Sequence, residues 1–471
     1  MLNENNNNMF KKEIYIERRK TLTKKVKGGL ILFLGNKEAA FNYSDNTYHF
    51  RQDSSFLYFF GLDLPNLAGL IDLDSGKEYL FGNDFSIDDI IWMGPQLSIK
   101  KLASEIGVEN TEPLTQLCNY LRNAKNQGRI IHTLPFYRGD TIIQFSNLME
   151  IPHFEAEGFV SVDLIKAVID LRSVKDHYEI EELIKASAIG YKMHTTAMKM
   201  ARPGIYEQKI AGTIEGIALA HGSMLSFPAI LSQNGEILHN HYHGNMLREG
   251  RLMITDAGAE TNMHYASDHT RTVPVGGTFS QKQKDIYNIV LNARNHAISL
   301  IKPDVPYRDI HLESAKIITQ GLINLGIMKG NADDAVCEGA YAVFMPHGLG
   351  HMMGLDVHDM ENLGEELVGY DNEIKRGAQF GLRALRLGRR LQTGFVLTTE
   401  PGIYFIPDLV RKWEADKINA DFINFDKVLK EYINFGGIRL EDDVVVTETG
   451  HQLIGKRIPI TVEEVEETMK S

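Results

Sequence analysis

The stretch LMITDAGAE, residues 252–260, joins an apolar run to an Asp-Ala-Gly sequence. An apolar run that leads into a Gly-containing polar segment is typical of a strand followed by a turn. A second stretch, YASDHTRT at residues 265–272, follows after a short gap. Together they predict a hairpin. Helices alternate with extended segments beyond residue 205, so we predict an α+β fold with antiparallel strands for this half of the chain.

The N-terminal half has a different pattern of short apolar runs separated by turn residues. These runs lie at residues 28–35, 67–82 and 129–136, and a helical stretch at 113–125 lies between two of them. Short apolar runs bounded by turns predict buried strands. We therefore predict an α/β domain with a mixed sheet.

The chain has 471 residues, which is long for one hydrophobic core. We expect residues 1–170 to form an N-terminal domain and residues 171–471 to form a C-terminal domain. Ser173, supported by Asp176, is the expected N-cap of a long helix that opens the second domain. Ser280 and Gln283 form a predicted capping box for a later helix.

The composition excludes several classes of function. Hydrophobic residues make up 43% and charged residues 24%, and the formal net charge is -12. An acidic chain is unsuited to nucleic acid or to an anionic membrane. Two separated cysteines, Cys118 and Cys337, and no apolar leader segment predict a cytoplasmic protein without a disulfide framework. The asparagine run at residues 5–8 is expected to be a disordered tip.

Five acidic or histidine residues stand beside glycine or within apolar strands. They are Asp256, Asp268, His351, Glu400 and Glu441. Each alone is more often a turn or structural residue. Burying a carboxylate without compensation costs several kcal/mol. Divalent cations reverse that balance, so the five residues jointly predict a metal site.

The ligand types restrict the metal. Four carboxylates and one imidazole form an oxygen-rich set that suits Mn²⁺ and suits copper(I) or structural zinc poorly. Two ions roughly 3.5–4 Å apart could share a bridging water and lower its pKa. We therefore predict two divalent ions, Mn²⁺ in preference, that activate a water nucleophile.

The motifs around these residues resemble those of the pita-bread metallopeptidases, namely Xaa-Pro aminopeptidase (aminopeptidase P) and Xaa-Pro dipeptidase (prolidase). Residues 172–465 resemble the catalytic domain, and YHFRQDSSFLYFFGL at residues 48–62 resembles the N-terminal domain of the proline-directed members. The resemblance implies an α/β domain followed by an α+β pita-bread catalytic domain. It also implies small peptide substrates and a homo-oligomer, a dimer or a tetramer.

The resemblance also implies roles for the ligands. Asp256 would hold one metal ion, Asp268 and Glu441 would bridge both, and His351 and Glu400 would complete the second. Glu400 would in addition move the proton.

Further site residues are implied in the same way. His347 and His358 in HGLGHMMGLDVHD would line the substrate site, with His358 as the main donor to the oxyanion. The run GEILHNHYHGN at residues 235–245 offers His239, His241 and His243, of which alignment without a gap selects His239.

Three residues are candidates for substrate binding. Tyr404 and Arg439 match positions beside the metals, and Arg439 could equally be a counter-ion for the carboxylates. Arg386, in GLRALRLGRRL, matches the arginine that clamps the dipeptide carboxylate in prolidase, or belongs to a solvated basic helix.

The two halves favour different members of the family. The N-terminal segment looks more like aminopeptidase P, whereas the Arg386 segment looks like prolidase. We predict an Xaa-Pro aminopeptidase. A dipeptidase is the alternative, and a non-catalytic pita-bread binding module is a more distant one.

One spacing departs from the family pattern. Eleven residues, 257–267, separate Asp256 from Asp268, which is one more than is usual in the family. An extra residue in the hairpin tip, around residues 261–264, would leave both ligands correctly oriented, whereas one in the strand would turn Asp268 away. We expect the extra residue to lie in the tip.

Overall fold

The computed structural model of the chain describes residues 9–470, so the asparagine run at residues 5–8 lies outside it. The chain divides into two compact units. The first comprises the residues up to Arg172 together with Asn362–Gly364, and the second begins at Ser173 and takes the remainder. The division lies two residues after the expected boundary, and the first unit gains a short segment from the C-terminal half.

The first unit contains seven strands and seven helices in its described part. The strands are β1 Leu30–Leu34, β2 Ala40–Tyr43, β3 Asn46–Thr47, β4 Ala68–Asp72, β5 Lys77–Phe81, β6 Asn110–Glu112 and β7 Ile131–His132. The helices are α1 Lys12–Thr23, α2 Ser54–Phe60, α3 Ile87–Met93, α4 Ile99–Glu105, α5 Leu117–Asn126, α6 Gly139–Met149 and α7 Val162–Ser173. Short 3₁₀ helices span Leu114–Gln116 and His153–Phe159.

The sheet of the first unit has the strand order β6-β5-β4-β1-β7. β1 pairs antiparallel with β4 and parallel with β7, and β5 pairs parallel with β6. All five residues of β1 are buried, because its two faces are both covered. The predicted α/β domain with a mixed sheet is confirmed.

The second unit is built from longer helices and short strands. Its helices are α8 His177–Met200, α9 Glu207–His221, α10 Gln281–Leu300, α11 Tyr307–Asn324, α12 Ala332–Cys337, α13 Glu365–Val368, α14 Pro407–Ala415, α15 Phe425–Lys427 and α16 Val462–Lys470. Its strands are β8 Ile230–Ser232, β9 Leu252–Asp256, β10 Thr270–Pro274, β11 Val396–Thr399, β12 Gly402–Tyr404, β13 Gly437–Arg439, β14 Asp442–Val446 and β15 His451–Leu453. Shorter 3₁₀ turns span Ala340–Val343, Glu361–Leu363 and Leu382–Ala384, and a π-helical turn spans Val428–Tyr432.

The strands of the second unit form antiparallel sheets, as predicted. Their orders are β10-β9-β8, β11-β14-β15 and β12-β13. β9 and β10 are the predicted hairpin, with Asp256 paired to Thr270. An isolated bridge between Thr270 and Glu441 then joins β10 to the residue that precedes β14. These pairings bring the ends of β9, β10 and β14 together.

Two helix starts test the predicted caps. The capping box of Ser280 and Gln283 is confirmed at the start of α10. Ser173 is wrong as an N-cap, because it ends α7, and Asp176 caps α8 in a capping box with Glu179. The reason is that Asp176 is extended and the N–H of Lys175 donates to the Gly394 carbonyl at 2.9 Å, so the helix can begin only after Asp176.

A buried arginine, Arg271, joins the neighbouring ends of β10 and β14. The Arg271 guanidinium donates to the carbonyls of Thr270 and Glu441 at 2.9 and 2.7 Å and to the Asp442 carboxylate at 2.8 Å. Arg294 binds the other oxygen of that carboxylate. Burial opposes ionisation of Asp442, but the two guanidinium groups outweigh it and lower its pKa to about 2. The network fixes β10 against β14.

A second buried ion pair joins Lys175 to Asp359. Their charged atoms are 2.8 Å apart, and each side chain is 1% exposed. Lys175→Met would remove the cation that lies 2.8 Å from the buried Asp359 carboxylate, so we expect the second unit to lose about 3–5 kcal/mol of unfolding free energy, measured by chemical denaturation. The matched control is Lys412→Met, which removes the exposed partner of Asp416 and should unfold like the parent.

A Lys175→Met/Asp359→Asn double variant should recover much of the lost stability, because it removes both charges and keeps an acceptor for the Asp356 N–H. Equal stability of Lys175→Met and Lys412→Met would contradict the role assigned to the buried pair.

Within residues 9–470, no helix is both long and apolar enough to cross a membrane.

Candidate metal centre

A cavity of about 560 Å³ opens into the second unit. Its wall contains all five residues that the sequence predicts as metal ligands. These are Asp256, Asp268, His351, Glu400 and Glu441. The fold therefore gathers into one cavity residues from well-separated parts of the chain.

Strand ends position the acidic members of this set. Asp256 is the last residue of β9, Glu400 directly follows β11, Glu441 directly precedes β14, and Asp268 lies two residues before β10. The bridge from Thr270 to Glu441 holds these ends side by side. Since paired backbone fixes the strands, the carboxylates are placed before any ligand binds.

The ring of His351 is fixed in one tautomer. Its Nδ1 lies 3.0 Å from the Met352 carbonyl, which can only accept, so Nδ1 carries the hydrogen in the neutral ring. The lone pair of Nε2 then faces the carboxylates of Asp268 at 3.5 Å and Glu400 at 3.8 Å. This is the arrangement of a histidine that binds metal through Nε2.

The electrostatics of the cavity fit divalent cations. Ligand atoms of Asp268, His351 and Glu441 all lie within 4.8 Å of one another. Burial, and then the neighbouring carboxylates, raise the pKa values of Asp268 and Glu441 well above their usual range. One oxygen each of Asp256 and Asp268 is buried without a hydrogen-bond partner among the described residues. Buried lone pairs without donors are what a metal ion would satisfy.

A chain of hydrogen bonds runs from Asp256 along the cavity wall. The Arg439 guanidinium donates to Asp256 at 2.5 Å and to the Tyr404 hydroxyl at 2.6 Å. That hydroxyl lies 3.0 Å from Nε2 of His347, whose Nδ1 lies 2.8 Å from the Gly348 carbonyl. Burial, and then Arg439, lower the pKa of His347 to about 3, so the ring is neutral and its Nδ1–H donates to the carbonyl.

Tyr404 therefore lies behind the wall, with 0% of its surface exposed. Arg439 lies in the wall and is a counter-ion of Asp256, which is one of its two predicted roles.

His358 lies against the ring of His351, with their centroids 3.9 Å apart. Its Nδ1 is 3.0 Å from a carboxylate oxygen of Glu361, which can only accept, so Nδ1 carries a hydrogen. Burial, and then His351, lower the pKa of His358 to about 4. In the neutral ring Nε2 is an acceptor, and donation from Nε2 to an oxyanion needs a second proton on the ring.

Two of the three histidines in the run at residues 235–245 line the cavity. They are His239 and His241, whereas His243 donates from Nδ1 to the Leu231 carbonyl at 2.9 Å. Burial, and then Arg439, lower the pKa of His239, which keeps it neutral near pH 7. The choice of His239 over His241 stays a prediction.

Arg386 lies in the cavity wall. The alternative of a solvated basic helix is wrong, because only Leu382–Ala384 form a single 3₁₀ turn in this segment. Nη1 of Arg386 donates to both carboxylate oxygens of Glu361 at 2.7 Å and to Glu365 at 3.1 Å. The positive charge of Arg386 is therefore already balanced by Glu361 and Glu365.

Two supporting residues were not predicted from the sequence. The Thr270 hydroxyl donates to Glu441 at 2.6 Å, and the Asp443 carboxylate accepts the backbone N–H of Asp268 at 3.0 Å. Thr270 stands two residues after Asp268, a period-two spacing that could have indicated a shared face. Asp443 gave no signal beyond its place in LEDDVVV.

The hairpin that joins Asp256 to Asp268 ends in a tight tip. Glu260 pairs with Ala266, and the N–H of Thr261 donates to the Tyr265 carbonyl at 3.0 Å. The tip is where the extra residue was expected, and both aspartates line the cavity.

Comparisons with known proteins identify relatives across most of the chain. The family described as Metallopeptidase family M24 matches residues 181–448, and the family described as Aminopeptidase P, N-terminal domain matches residues 15–132. The Xaa-Pro dipeptidase of Homo sapiens is 32% identical over 94% of this chain and 89% of its own length.

A probable Xaa-Pro aminopeptidase of Fusarium vanettenii is 35% identical over 90% of this chain and 87% of its own length. A solved structure, zinc-substituted E. coli aminopeptidase P in complex with product, has a TM-score of 0.80 and 28% identity and covers 98% of this chain and 99% of that one.

Proposed function

Because the chain belongs to metallopeptidase family M24 and is a metal-dependent Xaa-Pro peptidase, we propose that it releases the N-terminal residue from peptides with proline in second position. The observation that favours aminopeptidase activity over dipeptidase activity is the set of contacts that Arg386 makes within the protein. A dipeptide presents its own carboxylate directly after proline and needs a cation there. Arg386 is held by Glu361 and Glu365 instead.

We assign Asp256, Asp268, His351, Glu400 and Glu441 as the residues that hold two divalent ions, with Mn²⁺ as the expected metal. Their oxygen-rich donor set and the buried unpartnered oxygens of Asp256 and Asp268 support this assignment. When bound, such ions polarise a carbonyl and lower the pKa of a water.

Glu400 is the proposed proton carrier. Its side chain is 19% exposed to the cavity, and burial raises its pKa above the usual range. A carboxyl group with a raised pKa can accept a proton and release it again near neutral pH. We assign it the transfer of one proton to the proline nitrogen, which leaves as an amine.

The histidines have separate proposed roles. His358 would donate from Nε2 to the oxyanion once its ring carries a second proton, and the Glu361 carboxylate on Nδ1 stabilises that charged form. His347 is held neutral by burial and by Arg439, and its contacts with the Tyr404 hydroxyl and the Gly348 carbonyl orient its ring, so it shapes the wall. Tyr404 acts through Arg439 and His347, and His239 would contact substrate from the cavity wall.

A dipeptidase is the second candidate, because Arg386 lies in the cavity wall, where it could clamp a substrate carboxylate. The relatives include both kinds of enzyme. The non-catalytic binding module has no support, since all five ligands line one cavity. The homo-oligomer and the cytoplasmic location stay predictions.

Arg386→Ala separates the two candidates. For an aminopeptidase, we expect kcat/KM for an Xaa-Pro-Yaa peptide to change less than about threefold, because Arg386 does not contact that substrate. Initial rates for Xaa-Pro and Xaa-Pro-Yaa in Mn²⁺ provide the measurement. A parent that strongly prefers the dipeptide, with that preference lost in the variant, would establish the dipeptidase instead.

A further inference from the structure

A group of charged side chains surrounds Arg386 at the edge of the cavity, and it comprises Arg376, Glu361, Glu365 and Glu366. Glu361 binds Arg386 through both oxygens at 2.7 Å. Glu365 contacts Arg386 at 3.1 Å and Arg376 at 2.6 Å, and Glu366 contacts Arg376 at 2.5 Å. Two arginines thus face three glutamates, and the group as a whole is negative.

Arg386 lines the cavity, where a bound molecule can reach it, and the two glutamates that contact it are partly exposed. The side chains of Arg386, Glu361 and Glu365 are 34%, 25% and 37% exposed. A substrate carboxylate that approached Arg386 would become the third carboxylate around one guanidinium. Like charges in contact oppose binding unless one of them leaves.

We infer that Glu361, assisted by Glu365, determines specificity by neutralising Arg386, so that the site rejects a free carboxylate after proline and accepts an amide. This inference rests on the proposed function and adds the residues that set the preference. A longer peptide carries a neutral peptide bond at that position and meets no such repulsion.

Glu361 also contacts His358 at 3.0 Å, so its removal could change catalysis in general. The two effects are separable. A change at His358 alters turnover of every substrate by a similar factor, whereas release of Arg386 alters only substrates with a free carboxylate. The ratio of two substrates that differ only in this group therefore isolates the specificity effect.

The test compares Ala-Pro with Ala-Pro-amide. We expect Glu361→Gln to raise the ratio of kcat/KM for the dipeptide to that for the amide at least about tenfold, which is about 1.4 kcal/mol. Arg386→Ala combined with Glu361→Gln should abolish the increase, because the gain requires the freed arginine. Glu373→Gln is the matched control, since it removes an exposed glutamate paired with Arg390 in the same segment.

Either of two results would overturn the inference: an unchanged ratio in Glu361→Gln, or an increase that persists without Arg386. An equal increase in Glu373→Gln would also overturn it, by showing a general effect of charge. If Glu361→Gln hydrolyses neither substrate, the same ratio is read from the dissociation constants of dipeptide and amide by calorimetry. Failure of the proposed function looks different, because the Mn²⁺-loaded parent would then cleave neither compound or would already strongly prefer the dipeptide.

Discussion

Glu400→Gln is expected to lower kcat by about 10²–10⁴-fold, the usual contribution of a positioned acid or base. Glutamine has nearly the same shape but neither takes up a proton nor carries a charge. The raised pKa of the Glu400 carboxyl, caused by burial, matches a group that gains and loses a proton during turnover. Steady-state rates at saturating Mn²⁺ provide the measurement.

Metal content must be measured beside the rate, because Glu400 is also an assigned ligand. The matched control is Glu414→Gln, which changes an exposed glutamate of α14 and should leave kcat unaltered. Undiminished kcat in Glu400→Gln would remove Glu400 from the mechanism. If high Mn²⁺ fully restored kcat in the variant, the role of Glu400 would be limited to binding metal.

Removal of metal should abolish activity and lower the melting temperature. Burial raises the pKa values of Asp268, Glu400 and Glu441, and neighbouring carboxylates add to the shift at Asp268 and Glu441, so their charged forms are unfavourable when no cation lies between them. Mn²⁺ at about 100 times its Kd should add about 2.7 kcal/mol to the unfolding free energy of the second unit. Calorimetry of the chelated and reloaded protein, together with activity, measures both effects.

The stabilisation by metal should grow with pH. A carboxyl whose pKa is raised in the folded state stabilises the fold below its unfolded pKa, and that contribution is lost as pH rises through the folded pKa. The contribution of Asp268, Glu400 and Glu441 to the stability of the metal-free protein is therefore lost progressively from about pH 4 upward. Bound metal needs deprotonated ligands, so its effect is larger at pH 7.5 than at pH 5.5.

Asp268→Asn is the control for this experiment, since it removes a central charge and should reduce the response to Mn²⁺. A chelated protein that melts like the loaded one and keeps its activity would contradict the metal assignment.

Much of the fold could be predicted because its signals are local. The hairpin of β9 and β10 and the capping box at Ser280 each depend on residues close in sequence. The start of α8 could not be placed, because Lys175 is held by the Gly394 carbonyl and by Asp359, both distant in the chain. When tertiary contacts determine which residue caps a helix, the local sequence does not predict that residue.

The candidate site likewise contains residues that local sequence motifs identify and residues that only the folded structure brings together. The five proposed ligand residues, which line one cavity, could be named in advance, because each stands in a short motif that resembles the family. The partners of Arg386 could not, since Glu361 and Glu365 come within reach only when the segment after His358 folds back on it. Pairing between half-buried charges depends on loop geometry, which local sequence patterns do not define.

The hydrogen bonds along the cavity wall have a consequence for proton traffic. Each bond from Arg439 through Tyr404 and His347 runs in one direction and ends on the Gly348 carbonyl, which takes no proton. At the other end stands a guanidinium whose pKa is raised well above its usual value, so it releases none. This hydrogen-bonded chain therefore cannot relay protons, so we expect the proton that Glu400 is proposed to transfer to exchange through the cavity, to which its side chain is 19% exposed.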